Sequence, residues 1–189
     1  SIDFKIPSNV NHPILPGFSN PSYNLFMIDN GFADPLAIRI GSGCYAQNSS
    51  ITLEDDDCGQ SNPSVRASWG NNSYLLYDDQ WHNITLVSGN SGHKIYLDGL
   101  ELTLNYLLGS NNINIWPSDA SQVKIGTDLN DDFNLQGSLD NVAIWSTVLN
   151  QQEVQQYMNC PPTGNETDLI GYWNFEEGSG NIALDQTSN

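Results

Sequence analysis

Carboxylates are the side chains in this sequence best suited to chemistry. The densest run is Glu54-Asp55-Asp56-Asp57. Side chains alternate between the two faces of an extended strand, so Glu54 and Asp56 share a face and Cys58 takes the third place on it. Glycoside hydrolysis needs two carboxylates across the scissile bond, one of them with a raised pKa. No such pair can be read from these residues. The run also lies in a turn-rich stretch, and a solvated or cation-binding loop is the better reading. A second run, Asp128, Asn130, Asp131 and Asp132, has the one-apart oxygen spacing of a calcium loop. It lacks the glycine and the distant glutamate of an EF-hand. A third set combines Asp140 with Asp185 and Asn189. Ca2+ takes about six to eight oxygen ligands from carboxylates, amides and carbonyls. Calcium is therefore the expected cofactor, held at one of these two later sets.

Aromatic side chains offer a different chemistry. A sugar ring stacks its C–H face on an exposed Trp or Tyr while polar neighbours grip its hydroxyls. Trp116 precedes Pro117 and stands among Asn111, Asn112, Asn114, Ser118 and Asp119, which is loop composition. Trp116, with Asn114 and Asp119, is the first expected ligand platform. Trp69, followed by Gly70, Asn71 and Asn72, is the second, with Asn71 as its polar partner. His12, His82 and His93 are too scattered for a zinc motif. Neither a nucleophile-elbow serine nor a phosphate-binding glycine loop occurs.

Composition narrows the field further. A chain of 189 residues with net charge −17 fits one domain with a real core. So negative a chain repels a phosphate backbone and an anionic membrane surface, which excludes nucleic acid as the expected partner. It is compatible with divalent cations and with solubility in salt. No apolar run is long enough to span a bilayer, and no signal peptide is recognisable. Cys44 and Cys58 flank a polar, acidic loop and could close it, stabilising by roughly 3 kcal/mol in the chain-entropy model. Two free thiols are the alternative. Cys160 is then the odd cysteine, with a partner expected outside this stretch. Sequons stand at Asn48, Asn71, Asn83 and Asn165. They carry meaning only in a secreted eukaryotic protein.

The elements that must position these groups are mostly strands. Residues 139–145 alternate as a half-buried strand, with Val142 and Ile144 on one face. Asn150 and Glu153 form a capping box, followed by Val154, Tyr157 and Met158 at helical spacing. This predicts one short helix near 151–158, ended by Pro161 and Pro162. Upstream, Ile84 and Leu86 alternate, as do Ile95 and Leu97. Asn90-Ser91-Gly92 between them and Asp98-Gly99 after them are turn signals.

These stretches resemble the laminin-G-like, concanavalin-A-like jelly-roll domains, including the repeats of large bacterial surface proteins. The residues that carry the likeness are Gly137-Ser138-Leu139-Asp140-Asn141-Val142 with the helix after it, Trp81-His82 opening a strand, and Leu97-Asp98-Gly99 closing the next. Residues 121–127 resemble the strand before the closing one. The likeness is specific over residues 75–160 and diffuse before them. It implies an all-β, two-sheet antiparallel jelly-roll sandwich, a structural calcium site between loops, and packing roles for Trp81, Trp145 and Trp173. Residues 169–189, beginning Leu169-Ile170-Gly171-Tyr172-Trp173, resemble the opening strand of the same family, misplaced to the end. Three segments follow: a sandwich over 1–160, a proline-containing linker over 161–168, and an opening-strand motif over 169–189. The motif is expected to pair into a sheet, with Ile170, Tyr172 and Asn174 facing opposite to Leu169, Gly171, Trp173 and Phe175. It would complete its own sandwich or a neighbour's.

The expected function is a non-catalytic carbohydrate-binding or adhesion module of a secreted or cell-surface protein. Its expected partners are a glycan and the neighbouring repeats of a longer chain. A spacer repeat with no ligand is the alternative, and a glycoside hydrolase or lyase the third reading.

Overall fold

The computed structural model describes residues 1–9, 11–12, 14, 20–29, 36–41, 43, 48–54, 65–89, 92–112, 122–127 and 134–188. The chain is all-β with one helix among these residues. Its strands are β1 (Ile2–Lys5), β2 (Ser22–Asp29), β3 (Leu36–Gly41), β4 (Ile51–Glu54), β5 (Arg66–Trp69), β6 (His82–Gly89) and β7 (Gly92–Leu97). Then come β8 (Leu100–Glu101), β9 (Asn105–Leu108), β10 (Gln122–Ile125), β11 (Ser138–Asp140), β12 (Val142–Trp145), α1 (Gln151–Asn159) and β13 (Leu169–Trp173). One sheet runs β11-β1-β6-β7-β8, the other β10-β2-β3-β4-β5-β9, and β12 pairs with β13. All pairings are antiparallel.

Alternation places the core between the two larger sheets. Phe4, Leu25, Ile40, Ile51, Leu53 and Ile95 are fully buried there. Each comes from a strand whose next residue faces the other way, as a two-layer sandwich requires. The β6–β7 hairpin forms with Ile84 opposite Leu97 and Leu86 opposite Ile95. Asp98 and Gly99 both adopt positive φ, 50° and 73°. That geometry turns β7 into β8 with the twist a two-residue hairpin needs.

The helix starts where the capping box places it. The Asn150 side chain accepts from the N–H of Gln152 and Glu153, and Glu153 returns a bond to the Asn150 N–H at 2.7 Å. Val154 and Tyr157 dock on the outer side of the five-stranded sheet, against Val87, Tyr96, Leu149 and Trp145. Gln151 and Gln155 donate to the Gly99 carbonyl at 3.1 and 2.9 Å, fixing the helix over the β7–β8 turn.

Three expectations need correction. The closing strand is not continuous over 139–145. Asn141, at φ 49°, breaks it into β11 and β12. Its amide donates to Asp3 at 3.0 Å and accepts from the Tyr172 hydroxyl at 2.7 Å, which holds the left-handed conformation that Asn tolerates. Strict alternation also fails in β13. A register shift between Ile144 and Trp145 leaves Ile170 as an extra residue, so Leu169 and Tyr172 face the same way. Both are buried with Ala143 and Trp145, while Ile170 is 50% exposed. Finally, Trp81 is not a core residue. It is 49% exposed and lies 5.1 Å beneath the Lys5 ammonium. Trp145 and Trp173 do pack, against the helix-side cluster and the main core.

Candidate functional site

Two surfaces could do more than hold the fold together. The first is the outer face of the six-stranded sheet. Register puts Asn24 beside Arg39, Arg39 beside Thr52, and Thr52 beside Ser68. Glu54 lies opposite Arg66 one step along. An outer face is normally wet, yet Ser22, Asn24, Arg39, Thr52, Glu54 and Ser68 are all buried. Burying polar groups is costly unless they are paired. Arg39 and Glu54 pair with each other, with side chains 5% and 1% exposed. Ser22 Oγ, Asn24 Oδ1 and Thr52 Oγ1 have no hydrogen-bond partner among the described residues. Gly43 lies over this layer, because a Cβ there would stand 2.2 Å from Glu54 Oε1. Glu54 is therefore not part of a solvated acidic loop, which corrects the reading of residues 54–57 at its first member. Its carboxylate pairs with Arg39.

The second surface is the rim at one end of that sheet. Ser73, Leu76 and Tyr77 point inward at one-turn spacing, which turns Tyr74 and Leu75 outward, 50% and 45% exposed. The turn is tied by Leu75 N–H to Asn72 O and Tyr77 N–H to Tyr74 O, both 3.1 Å. Asn72 Oδ1 accepts from the Tyr74 N–H at 3.0 Å. A second loop is fastened to it: Asn48 donates to Asn71 O at 2.7 Å, and Ser50 to Asn72 O at 2.8 Å. Behind Tyr74 stands a column of rings. Tyr74 meets Tyr77 edge-on at 5.6 Å, and Tyr77 meets Tyr23 at 5.8 Å and His12 at 4.5 Å. The two tyrosine–tyrosine contacts are edge-to-face, which adds to area burial, and the His12 ring is tilted on Tyr77. Burial raises the Tyr23 hydroxyl to about 12 and pushes Tyr77 up as well, so both remain neutral. Tyr77 donates to the carbonyls of Ile40 and Pro21 at 3.1 and 3.3 Å. Tyr74 is thus an exposed ring on a rigid base, in a turn to which Asn48, Asn71 and Asn72 are fastened.

The sequence-expected residues fall into separate places. Asn71 is exposed and belongs to this rim. Trp69 does not form a platform beside it. The ring is half-buried and packs on the main core, because Trp69 lies opposite Ile51 on the inward face. Tyr74 takes that exposed position five residues on, and the Asn-Asn-Ser-Tyr turn was the signal for it. Trp116, Asn114 and Asp119 lie outside the described residues, as do Asp128, Asn130, Asp131, Asp132, Asn189, Cys44 and Cys58. Cys160 is an exposed free thiol. Of the sequons, Asn48, Asn71 and Asn165 are exposed and Asn83 is buried.

Asp140 and Asp185 both accept backbone hydrogen bonds. Asp140 accepts from the Asn141 N–H at 2.8 Å. Asp185 accepts from the N–H of Tyr172 and Thr187 at 3.0 and 2.9 Å. Asp3, across from Asp140, is held by the amides of Asn83 and Asn141 at 2.7 and 3.0 Å. Burial raises the Asp3 pKa, those two amides oppose the rise, and Asp140 adds to it. These carboxylates serve backbone and amide donors, and no three acidic, His or Cys side chains converge among the described residues. Asn189, the third member of the expected Asp140–Asp185 set, lies outside the described residues. His82 lies between two carboxylates. Its Nδ1 meets Asp98 at 2.9 Å and its Nε2 meets Asp78 at 3.3 Å, so both nitrogens are engaged.

Two antiparallel sheets, a broken closing strand and a capped helix on the back define a concanavalin-A-like jelly-roll sandwich. The chain belongs to the Concanavalin A-like lectin/glucanases superfamily, whose laminin-G-type family model matches residues 26–155. The match reaches well into the first third of the chain, where the sequence likeness was diffuse. No curated protein matches the chain. Among solved structures it is similar to a proposed carbohydrate-binding protein of Bacteroides ovatus. That likeness is 16% identity and TM-score 0.47, over 97% of this chain and 53% of the other. It is also similar to mouse laminin alpha1 chain, domains LG4-5, at 11% identity and TM-score 0.45, over 75% of this chain and 33% of the other. The chain thus spans about half the length of the Bacteroides protein. No helix among the described residues is long and apolar enough to cross a membrane.

Proposed function

We propose that this domain is a non-catalytic carbohydrate-binding module of a secreted or cell-surface protein, and that it contacts sugar through the Tyr74 rim. The observation that carries this reading is the exposed Tyr74 ring, fixed on buried Tyr77 in a turn that also holds Asn71 and Asn72. A pyranose has an apolar C–H face for the ring and hydroxyls for amides, and a rigid platform loses little entropy on binding. Family membership supports the same class, though the family also contains glucanases. Against catalysis in this chain stand the commitment of Glu54 to Arg39 and of both His82 nitrogens to carboxylates. Trp116, with Asn114 and Asp119, is proposed on sequence grounds as a second platform. A calcium ion is proposed for Asp128, Asn130, Asp131 and Asp132, where melting in calcium and in chelator should differ. Neighbouring repeats of a longer chain are the proposed covalent context. The test is titration of an oligosaccharide panel against the native domain and Tyr74→Ala. Binding should disappear in the variant with its melting temperature nearly unchanged. If no panel member binds the native domain, the spacer reading takes its place.

A further inference from the structure

The turn that carries Tyr74 exposes a second large apolar side chain beside it. Leu75 is 45% exposed, while Ser73, Leu76 and Tyr77 on either side of the pair are buried. Two backbone bonds set this orientation, Leu75 N–H to Asn72 O and Tyr77 N–H to Tyr74 O. Both use main-chain groups alone, so the turn itself does not require an apolar side chain at 75. Turns are normally filled with Gly, Pro, Asn, Asp and Ser. An exposed leucine in this one therefore has no evident part in holding the fold. Consecutive Cα atoms lie about 3.8 Å apart, so a sugar ring resting on Tyr74 reaches Leu75 as well.

The polar side chains of the turn are mostly occupied with holding it. Asn48 donates to Asn71 O, Ser50 donates to Asn72 O, and Asn72 Oδ1 accepts from the Tyr74 N–H. The side chain of Asn71 is exposed. What the described residues of the turn offer a ligand is thus one aromatic face, one isobutyl group and the Asn71 amide. A ligand that matches them has an apolar ring face, a second apolar group next to it, and few hydroxyls to satisfy at that place.

Charge restricts the ligand further. Residues 48–50 and 70–77, which build the rim, include no acidic or basic side chain. The charges nearest along the chain are Asp78 and Asp79, and the Asp78 side chain is 39% exposed. The cations stand elsewhere. Arg39 is buried against Glu54, Lys94 pairs with Glu101 at 2.8 Å, and Lys5 lies over Trp81. Arg66 begins β5, whose opposite end leads into the rim, and Lys124 lies opposite Met27, away from the rim end of β2. In a chain of net charge −17, a carboxylate or sulfate ester at this rim would meet repulsion and no counter-ion.

We propose that the Tyr74 rim selects neutral, methyl-bearing pyranoses, and that Leu75 is the residue that reads the methyl group. The C–H face of the sugar rests on Tyr74 and its methyl group on Leu75. Two kinds of sugar present that chemistry, a deoxyhexose through its exocyclic methyl and an N-acetylhexosamine through its acetyl group. A sugar with a hydroxyl at the same place would bury that hydroxyl against Leu75 without a hydrogen bond, which is unfavourable. This inference rests on the glycan reading of Tyr74 and goes beyond it in naming the ligand class.

The test titrates free methyl glycosides into the isotope-labelled native domain and follows backbone amide shifts. The probes come in pairs: L-fucoside with L-galactoside, L-rhamnoside with L-mannoside, N-acetylglucosaminide with N-formylglucosaminide, and glucoside with glucuronide. In at least one of the first three pairs the methyl-bearing member should bind about fourfold or more tightly, the gain of moving one methyl group out of water. The pair that responds tells a deoxyhexose from an N-acetylhexosamine. Leu75→Asn should bring that ratio close to one and Leu75→Ile should keep it, with melting temperatures near native because the site is exposed. The glucuronide should bind more weakly than the glucoside. Equal affinities within all three pairs, a ratio that survives Leu75→Asn, or a glucuronide that binds more tightly than the glucoside would overturn the proposal while leaving the Tyr74 reading in place. Binding that Tyr74→Ala leaves intact would remove the Tyr74 reading, and this inference with it. Silence from every methyl-bearing probe also overturns the inference.

Discussion

Glu54→Ala should be among the most damaging single substitutions in this domain. The change removes one member of an ion pair whose side chains are 5% and 1% exposed. Arg39 would be left charged in a layer where Thr52 Oγ1 and Asn24 Oδ1 already lack partners among the described residues. Breaking a buried pair from one side costs about 3–5 kcal/mol, because the remaining ion keeps its desolvation penalty. For a domain of this size each kcal/mol shifts the melting temperature by roughly 2–4 °C. The expected loss is therefore on the order of 10 °C. Urea unfolding should show a lower midpoint with an unchanged slope, since the surface exposed on unfolding hardly changes. Replacing both partners, Arg39→Met with Glu54→Leu, should recover most of the stability, because an apolar pair carries no desolvation cost. The double-mutant cycle then gives a coupling of several kcal/mol. If Glu54→Ala costs less than about 1 kcal/mol, the layer is wet and the argument from burial fails.

Further outcomes follow from the same geometry. The Asp98 hydrogen bond, partly opposed by burial and helped by Asp78, raises the His82 pKa above its ordinary 6.5. Protonated His82 therefore adds stability that is full below the ordinary pKa and is lost as pH rises through the raised one. Native melting temperatures should fall across that window, and His82→Asn should flatten the profile; an unchanged profile contradicts the pairing. Asn141→Ala should destabilise by about 2–3 kcal/mol, since it loses two hydrogen bonds and strains a positive φ. Asn141→Gly should cost less by chemical denaturation, because it keeps the backbone freedom. Deleting residues 163–189 removes Leu169 and Tyr172 from the Ala143–Trp145 cluster and should yield an insoluble or strongly destabilised protein. A truncated form that melts like the parent would show that β13 is only a tail.

Features written in neighbouring residues were legible in the sequence. The Asn150–Glu153 box, the Asp98-Gly99 turn and the alternation of Ile84 with Leu86 depend on contacts within a few residues, and the structure contains all three. Features that depend on register were not. Glu54 reads as the start of an acidic run, because its partner Arg39 is brought beside it only when β3 and β4 pair. Trp69 and Trp81 illustrate the same limit. Which way each ring faces is decided by a single step of register, and that step sends Trp69 inward and leaves Trp81 over the surface under Lys5. The extra residue at Ile170 and the break at Asn141 come from the fit of β12 between β1 and β13, which neither segment reveals alone. Tyr74 was visible as an aromatic in polar company. Its exposure required knowing that Tyr77, three residues on, is the one that turns inward.

The central claim is that this sandwich binds sugar at the Tyr74 rim. Its most direct test is isothermal titration of each oligosaccharide that a glycan array identifies, with native domain, Tyr74→Ala and Asn71→Ala compared side by side. The expected result is saturable binding by the native domain, loss with Tyr74→Ala, weakening with Asn71→Ala, and melting temperatures within a few degrees of native in both variants. Sugar binding that survives Tyr74→Ala undiminished would contradict the account and move the contact surface elsewhere on the fold.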